Sequence, residues 1–219
     1  MLRVAYLEPG PDAQGPHAAD VATIANALES FVELVRIGPT ASVGSIAPKR
    51  FDRILGVFED EADLVHGLPV LRQLGGIAAL YGWSLARLAA AYSPSLADGG
   101  GWRGSIAAWR HGGLAEMRAW RAGQREDLAL NRPVVRWADA FLVEERDLAQ
   151  RIQDERNAPT AIQILPLSTR GTSDVSEVAR AWAKALEVLP THRSGAKSLI
   201  KTAIAGADAA RAARQAGTD

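Results

Sequence analysis

Leu2-Arg3-Val4-Ala5-Tyr6-Leu7-Glu8-Pro9-Gly10-Pro11-Asp12-Ala13-Gln14-Gly15-Pro16-His17 is a compact apolar run that breaks into a loop of prolines and glycines. The run from Leu2 to Leu7 is short and shows no apolar/polar alternation, the pattern of a strand buried on both faces. Pro9, Gly10, Pro11, Gly15 and Pro16 end it in a turn-rich loop. From about His17 to Glu29, Val21, Ile24, Ala25 and Leu28 recur at spacings of three and four, which predicts a helix with one apolar face. Strand, loop and amphipathic helix are the first part of a βαβ unit.

The alternation continues outward to Leu167. Phe31–Ile37 reads as a second strand stopped by Gly38-Pro39, and Phe51–Phe58 contains a third. Glu59–Leu74 reads as a helix with Leu64, Leu68 and Leu71 inward, a kink at Pro69 and a stop at Gly75-Gly76. Ile77–Tyr81 is a fourth strand, and Leu85–Tyr92 a helix. Ser93–Gly101 is a loop. A long helical region, Trp102–Trp137, is broken around Gly112-Gly113 and Gly123. Ala140–Val143 is a fifth strand, Glu145–Arg156 its helix and Ala161–Leu167 a sixth strand. Strands separated by helical lengths predict an α/β fold: a doubly wound, mostly parallel sheet of about six strands. Residues 1–170 form that Rossmann-like domain. Residues 171–219 form a helical extension packed on it, with helices at Ser173–Leu189 and Ser194–Gln215 split by Pro190.

Composition narrows the function. The apolar fraction of 47% suffices for a core. Lys plus Arg equals Asp plus Glu at 25 each, and a neutral chain lacks the basic excess of a nucleic-acid binder. With no cysteine there is no disulfide, thiolate or cysteine-metal chemistry. Met1–Leu7 is too short for a signal peptide and no apolar run approaches a membrane span, so a cytoplasmic location is expected.

Three passages carry a resemblance. The first is Leu64-Val65-His66-Gly67-Leu68-Pro69-Val70-Leu71-Arg72-Gln73-Leu74-Gly75-Gly76-Ile77-Ala78-Ala79-Leu80-Tyr81-Gly82-Trp83-Ser84-Leu85, running on to Tyr92. The second is Asn131 to Val143, with Ala138-Asp139-Ala140 before a strand. The third is Ile162-Gln163-Ile164-Leu165-Pro166-Leu167. Together they resemble the N-terminal, acceptor-side domain of retaining GT-B glycosyltransferases of family 4, over about residues 1–170. The loop with Gly15 and His17 then lies where the family has a glycine-rich turn facing the donor phosphates. Tyr81-Gly82 stands where the family has His-Asp, and Val143-Glu144-Glu145 where it often has Val-His-Ser. The donor-binding domain has no counterpart after Leu167. The helix Asp174–Leu189 resembles the family's C-terminal helix, which crosses back onto the N-terminal domain.

Candidate site residues follow. Gly10, Gly15, His17, Tyr81, Gly82 and Trp83 lie at expected carboxyl ends of strands, where open α/β sheets bind ligands. The loop is not Gly-x-Gly-x-x-Gly, so the dinucleotide fingerprint fails. His17 is the one histidine near that rim. His66, His111 and His192 are scattered, and no spacing suits a metal, so no metal or cofactor is expected. Glu144-Glu145 reads as a solvated helix start, and neither Ser84 nor Ser105 sits in a nucleophile motif. No catalytic residue is assigned. Trp102, Ile106, Trp109, Gly113, Met117 and Trp120 follow helical spacing beside Arg103, Arg110, Arg118, Arg121 and Arg125. That stripe is read first as packing on the domain. Its alternative is an interaction surface of Trp102, Trp109, Arg110 and Trp120, suited to a partner or to peripheral contact with a membrane. The last helix places Ala196, Leu199, Ile200, Ala203, Ile204 and Ala207 on one stripe near Arg193, Lys197 and Lys201, for docking on its own domain or a second copy, with anionic lipid as the alternative.

The resemblance implies a glycosyltransferase-like protein without autonomous catalysis, a pseudoenzyme that binds an acceptor glycan or supports a glycosyltransferase partner. If active, it would transfer a hexosyl-type group. Its alternatives are the acceptor-binding subunit of a split enzyme, a compact transferase acting alone, and a protein-interaction module that binds no sugar. A homodimer is a further expected assembly.

Overall fold

The computed structural model describes residues 1–10, 15–41, 43, 46, 51–97, 101–169 and 174–189. Six strands, β1 (Arg3–Leu7), β2 (Glu33–Ile37), β3 (Arg53–Phe58), β4 (Ile77–Leu80), β5 (Ala140–Val143) and β6 (Ala161–Ile164), form one sheet in the order β2-β1-β3-β4-β5-β6. Every pairing is parallel, and Ala5 aligns with both Val35 and Ile54. Among the described residues eight α-helices accompany it: α1 (Ala18–Leu28), α2 (Gly67–Leu74), α3 (Ala86–Tyr92), α4 (Gly101–Gly112), α5 (Leu114–Arg121), α6 (Arg132–Trp137), α7 (Arg146–Arg156) and α8 (Val175–Val188). The fold is α/β, Rossmann-like and doubly wound, as the alternation predicts.

Side-chain alternation along each strand divides the core between the two faces. Val4, Tyr6, Leu55, Val57, Ile77, Ala79, Ala140 and Leu142 join Val21 and Ile24 of α1 and Val178 and Trp182 of α8. Leu7 and Ile54 meet Val70 of α2 on the other face. There Phe58, Ala78, Leu80, Phe141 and Val143 pack with Leu68, Leu71, Val134 and Ile152 of α2, α6 and α7. The stripe of Val178, Trp182, Ala185 and Leu189 is buried, and the Trp182 indole N–H donates to the Pro166 carbonyl at 2.9 Å. The expected helix Ser194–Gln215 lies outside the described residues.

Two helical expectations are corrected. Glu59–Leu74 is not one helix. A 3-10 turn over Ala62–Leu64 precedes α2, and Pro69 falls in the first turn of α2, where its missing N–H is not needed. The long region Trp102–Trp137 contains a non-helical segment between α5 and α6. There Leu128, Ala129 and Leu130 are buried, and backbone bonds to other elements replace helical ones. The Glu116 carboxylate accepts from the Ala129 and Leu130 amides at 3.1 and 2.9 Å, and the Ala129 carbonyl accepts from the Leu85 amide at 2.7 Å. At Gly113, φ is +94°, a conformation open to glycine, and the chain folds α5 back against α4.

Candidate functional site

The strand order reverses between β1 and β3. The first crossover carries the chain to β2 on one side of β1, and the later strands all add on the other side. In doubly wound sheets the crevice outside the carboxyl ends at such a point is where ligands bind. Here β1 delivers Glu8 and β3 delivers Glu59 to that end, while the start of α1 brings Gly15 and His17.

Glu59 is 8% exposed and takes the place closest to the α1 N-terminus. A methyl group added at Gly15 would lie 2.1 Å from its Oε1, so Gly15 exists to let the carboxylate in. A backbone hydrogen bond from His17 holds the charged form, yet burial first and then the Glu61 charge push the Glu59 carboxyl above the usual range. Its Oε2 is buried without a partner among the described residues.

The His17 ring lies against Tyr81 at 4.5 Å between centroids, tilted by 31°. Tyr81, one residue past β4, donates its hydroxyl to the Leu167 carbonyl, and burial drives its ionisation well above the ordinary tyrosine value. The Asp20 carboxylate of α1 accepts from the Thr169 hydroxyl, far away in the chain. On the β2 side, Tyr6, Glu8, Gly10, Ala18, Val21 and Arg36 line a cleft of about 350 Å³. Arg36 is held by Glu8 at 2.7 Å and Glu29 at 2.9 Å, which raises its own pKa further. Arg87 pairs with Glu61 at 2.9 Å. Among the described residues, both arginines at this end, Arg36 and Arg87, are thus paired with carboxylates.

The sequence candidates divide. Gly15, His17 and Tyr81 meet, and Gly10 lines the cleft. Gly82 adjoins Tyr81, with open space around its α-carbon. Trp83 turns to the opposite face. It packs with the α7 side of the core and lines a shallow groove with Arg151, Asp154 and Glu155. Glu8 and Glu59 were missed as candidates; a carboxylate immediately after each of two buried strands is the signal that marks them.

The tryptophan stripe also divides. Trp102 and Trp109 are 68% and 50% exposed on α4. Trp120 is buried, with Gly104 leaving room for its indole and Arg125 stacked on it at 4.2 Å. Because α5 folds back at Gly113, the stripe packs the domain at Trp120 but not at Trp102 or Trp109, and Trp120 is not part of the exposed face. Arg110 is exposed beside Trp109. Glu144 and Glu145 are exposed at the start of α7, the Ser84 hydroxyl donates to the Leu128 carbonyl, and the Ser105 hydroxyl to the Gly101 carbonyl.

Among the described residues no group of three or more His, Asp or Glu side chains is placed to hold a metal ion, and no helix is long and apolar enough to cross a membrane. Fold and site together define a doubly wound α/β domain with a carboxylate-lined switch-point crevice. Comparison with protein-family models, with curated proteins and with solved structures finds no match.

Proposed function

We propose that the carboxyl end of the sheet binds a neutral, hydroxyl-rich ligand, and that the domain is glycosyltransferase-like on its acceptor side, without sugar transfer of its own. The observation that supports this is Glu59. A phosphate bound by a Rossmann-type domain sits at the N-terminus of the first helix. Glu59 already fills that position, with Glu8, Asp20 and Glu61 around it. A diphosphate brought there would meet like charge and, among the described residues, no uncommitted arginine. Sugar hydroxyls instead donate to carboxylates, and the His17–Tyr81 pair offers an aromatic surface for a pyranose face. Sugar transfer needs the donor diphosphate clamped and the acceptor held in line, and this end of the domain suits only the second task.

The test is a titration of the full chain with neutral mono- and oligosaccharides and with UDP-, GDP- and dTDP-sugars, followed by ligand-observed NMR, with turnover assayed in parallel. Neutral sugars are expected to bind, Glu59→Gln and His17→Ala to weaken them by roughly tenfold, and sugar nucleotides to show no turnover. Sugar-nucleotide turnover abolished by His17→Ala refutes the proposal.

A second reading, an interaction module, is supported by the exposed Trp102 and Trp109. Exposed tryptophans on one helix face are typical anchors of protein interfaces. Solution mass of the wild type and of a Trp102→Ala/Trp109→Ala variant tests it: an assembly lost with an unchanged melt supports it.

A further inference from the structure

A second cavity, of about 410 Å³, opens at the opposite end of the sheet, beside the segments that lead into β4 and β5. Its volume falls in the roughly 300–1,000 Å³ range of small-molecule sites. It is lined by Arg72 of α2, Arg110 and His111 of α4, Arg132 and Arg136 of α6, and the aromatic rings of Tyr92 and Trp137. No carboxylate lines it.

The charge there is not balanced from within. Arg132 is bound by Glu155 at 2.9 Å. Arg72 lies over the Trp137 ring at 5.7 Å, and no carboxylate pairs with Arg72, Arg110 or Arg136 among the described residues. Arg72 and Arg110 stand in the last turns of their helices, where the dipole favours a cation. Arg136 stands in the last turn of α6, where it does too, and Arg132 opens that helix, where it does not. Helix ends favour three of the four guanidinium groups one at a time, but do not account for their convergence on one cavity. Three guanidinium groups from three helices, Arg72, Arg110 and Arg136, thus border one cavity with no carboxylate partner among the described residues, a charge that a multiply charged anion in that space would balance.

The wall is preorganised. His111 is 3% exposed and buried against Tyr92, with ring centroids 5.9 Å apart, and Tyr92 meets Trp137 edge-on at 6.0 Å. His111 Nε2 is 2.8 Å from the Ser93 hydroxyl, and Nδ1 has no partner among the described residues. When Ser93 donates to Nε2, the proton resides on Nδ1, and the ring stays neutral in the wall of the cavity.

We propose that this cavity is a binding site for a small organic phosphate carrying two or more negative charges. Guanidinium forks match phosphate oxygens bidentately, and several converging on one cavity select phosphate esters over monocarboxylates. The site is remote from the switch-point crevice and is opposite to it in charge, so each can be lost without the other.

The test is calorimetric titration of the full chain with pyrophosphate, a nucleoside diphosphate and, as the monoanionic comparator, acetate. Vesicles of phosphatidic acid form a parallel arm for a lipid-borne phosphate. Pyrophosphate and the nucleotide are expected to bind saturably and acetate not. Arg110→Ala/Arg136→Ala is expected to weaken binding by roughly tenfold or more, while Arg146→Ala on α7 leaves it unchanged. Both cavity arginines are exposed, so the double variant keeps its fold, as its melting curve verifies; Arg136→Glu, a single reversal, gives an independent loss. No saturable binding at millimolar pyrophosphate, or binding that survives both the double variant and Arg136→Glu, overturns the proposal. Binding to phosphatidic acid vesicles with none to soluble phosphates overturns it as well.

Discussion

His111 makes acid a specific threat to this fold. Burial, and then the Arg110 charge, lower its pKa from 6.5 to about 4. The sign follows from proton counting. Between about pH 6.5 and pH 4 the unfolded chain takes up a proton that the folded chain refuses, so stability falls as pH falls through that window. At roughly 1.4 kcal/mol per unit, the loss reaches about 2 kcal/mol by pH 5 and about 3 kcal/mol by pH 4. That is a large share of the 5–15 kcal/mol that holds a typical domain. Other groups oppose it. Glu59 and Glu116 have raised pKa values, chiefly through burial, and regain stability as they protonate on acidification. The His111 contribution must therefore be isolated. Urea unfolding of the wild type and of His111→Gln at a series of pH values, in phosphate-free buffer, does so by difference. The wild type is expected to lose its advantage over the variant progressively below pH 6.5, by about 2 kcal/mol at pH 5. A difference that stays flat from pH 7 to pH 4.5 refutes the reasoning and means that the ring protonates in place.

Trp182→Ala is expected to cost about 3–5 kcal/mol, because it empties a core site under α8 and deletes the bond to Pro166; thermal unfolding measures it. Asp139→Ala leaves the Gly76 amide without its 2.8 Å acceptor at the entry to β4 and is expected to cost about 1–3 kcal/mol, read by urea midpoint. Trp109→Ala is expected to stay within about 0.5 kcal/mol of the wild type, whereas Trp120→Ala on the folded-back helix is expected to cost about 3–5 kcal/mol. Equal losses at the two positions would show that α4 and α5 do not form the hairpin described.

Apolar runs bounded by turn residues located all six strands and helical spacing most helices, because the central strands are buried on nearly every side chain and a helix that covers them must repeat every three to four residues. The Leu2–Leu7 run, the Gly75-Gly76 stop and the Ala140–Val143 run are legible on those grounds. Leu128–Leu130 was not. An apolar triplet flanked by helices reads as helix, and only Glu116, Leu85 and Ser84, distant in sequence, supply the bonds that hold it out of a helix. The stripe from Trp102 to Trp120 misled for the same reason. Spacing assumes one straight helix, and the reversal at Gly113 sends Trp120 into the core while leaving Trp102 and Trp109 outside.

The residues at the sheet's carboxyl end, Gly15, His17 and Tyr81, were recognisable as a βα loop and a strand end. Their meeting with Glu59 was not. It depends on the strand order, which sets β3 beside β1 and aims its final carboxylate at the start of α1. The arginine-lined cavity was less visible still. Arg132 and Arg136 are four residues apart on α6, but Arg72 and Arg110 lie dozens of residues before them, and nothing local relates the three groups. Sequence determines local structure through short-range backbone and side-chain patterns, so it fixed the elements and the sheet they build. Which charges converge is set by crossover direction and helix docking, long-range choices that no local pattern records, and the carboxylate-lined crevice and the arginine-lined cavity belong to that second kind.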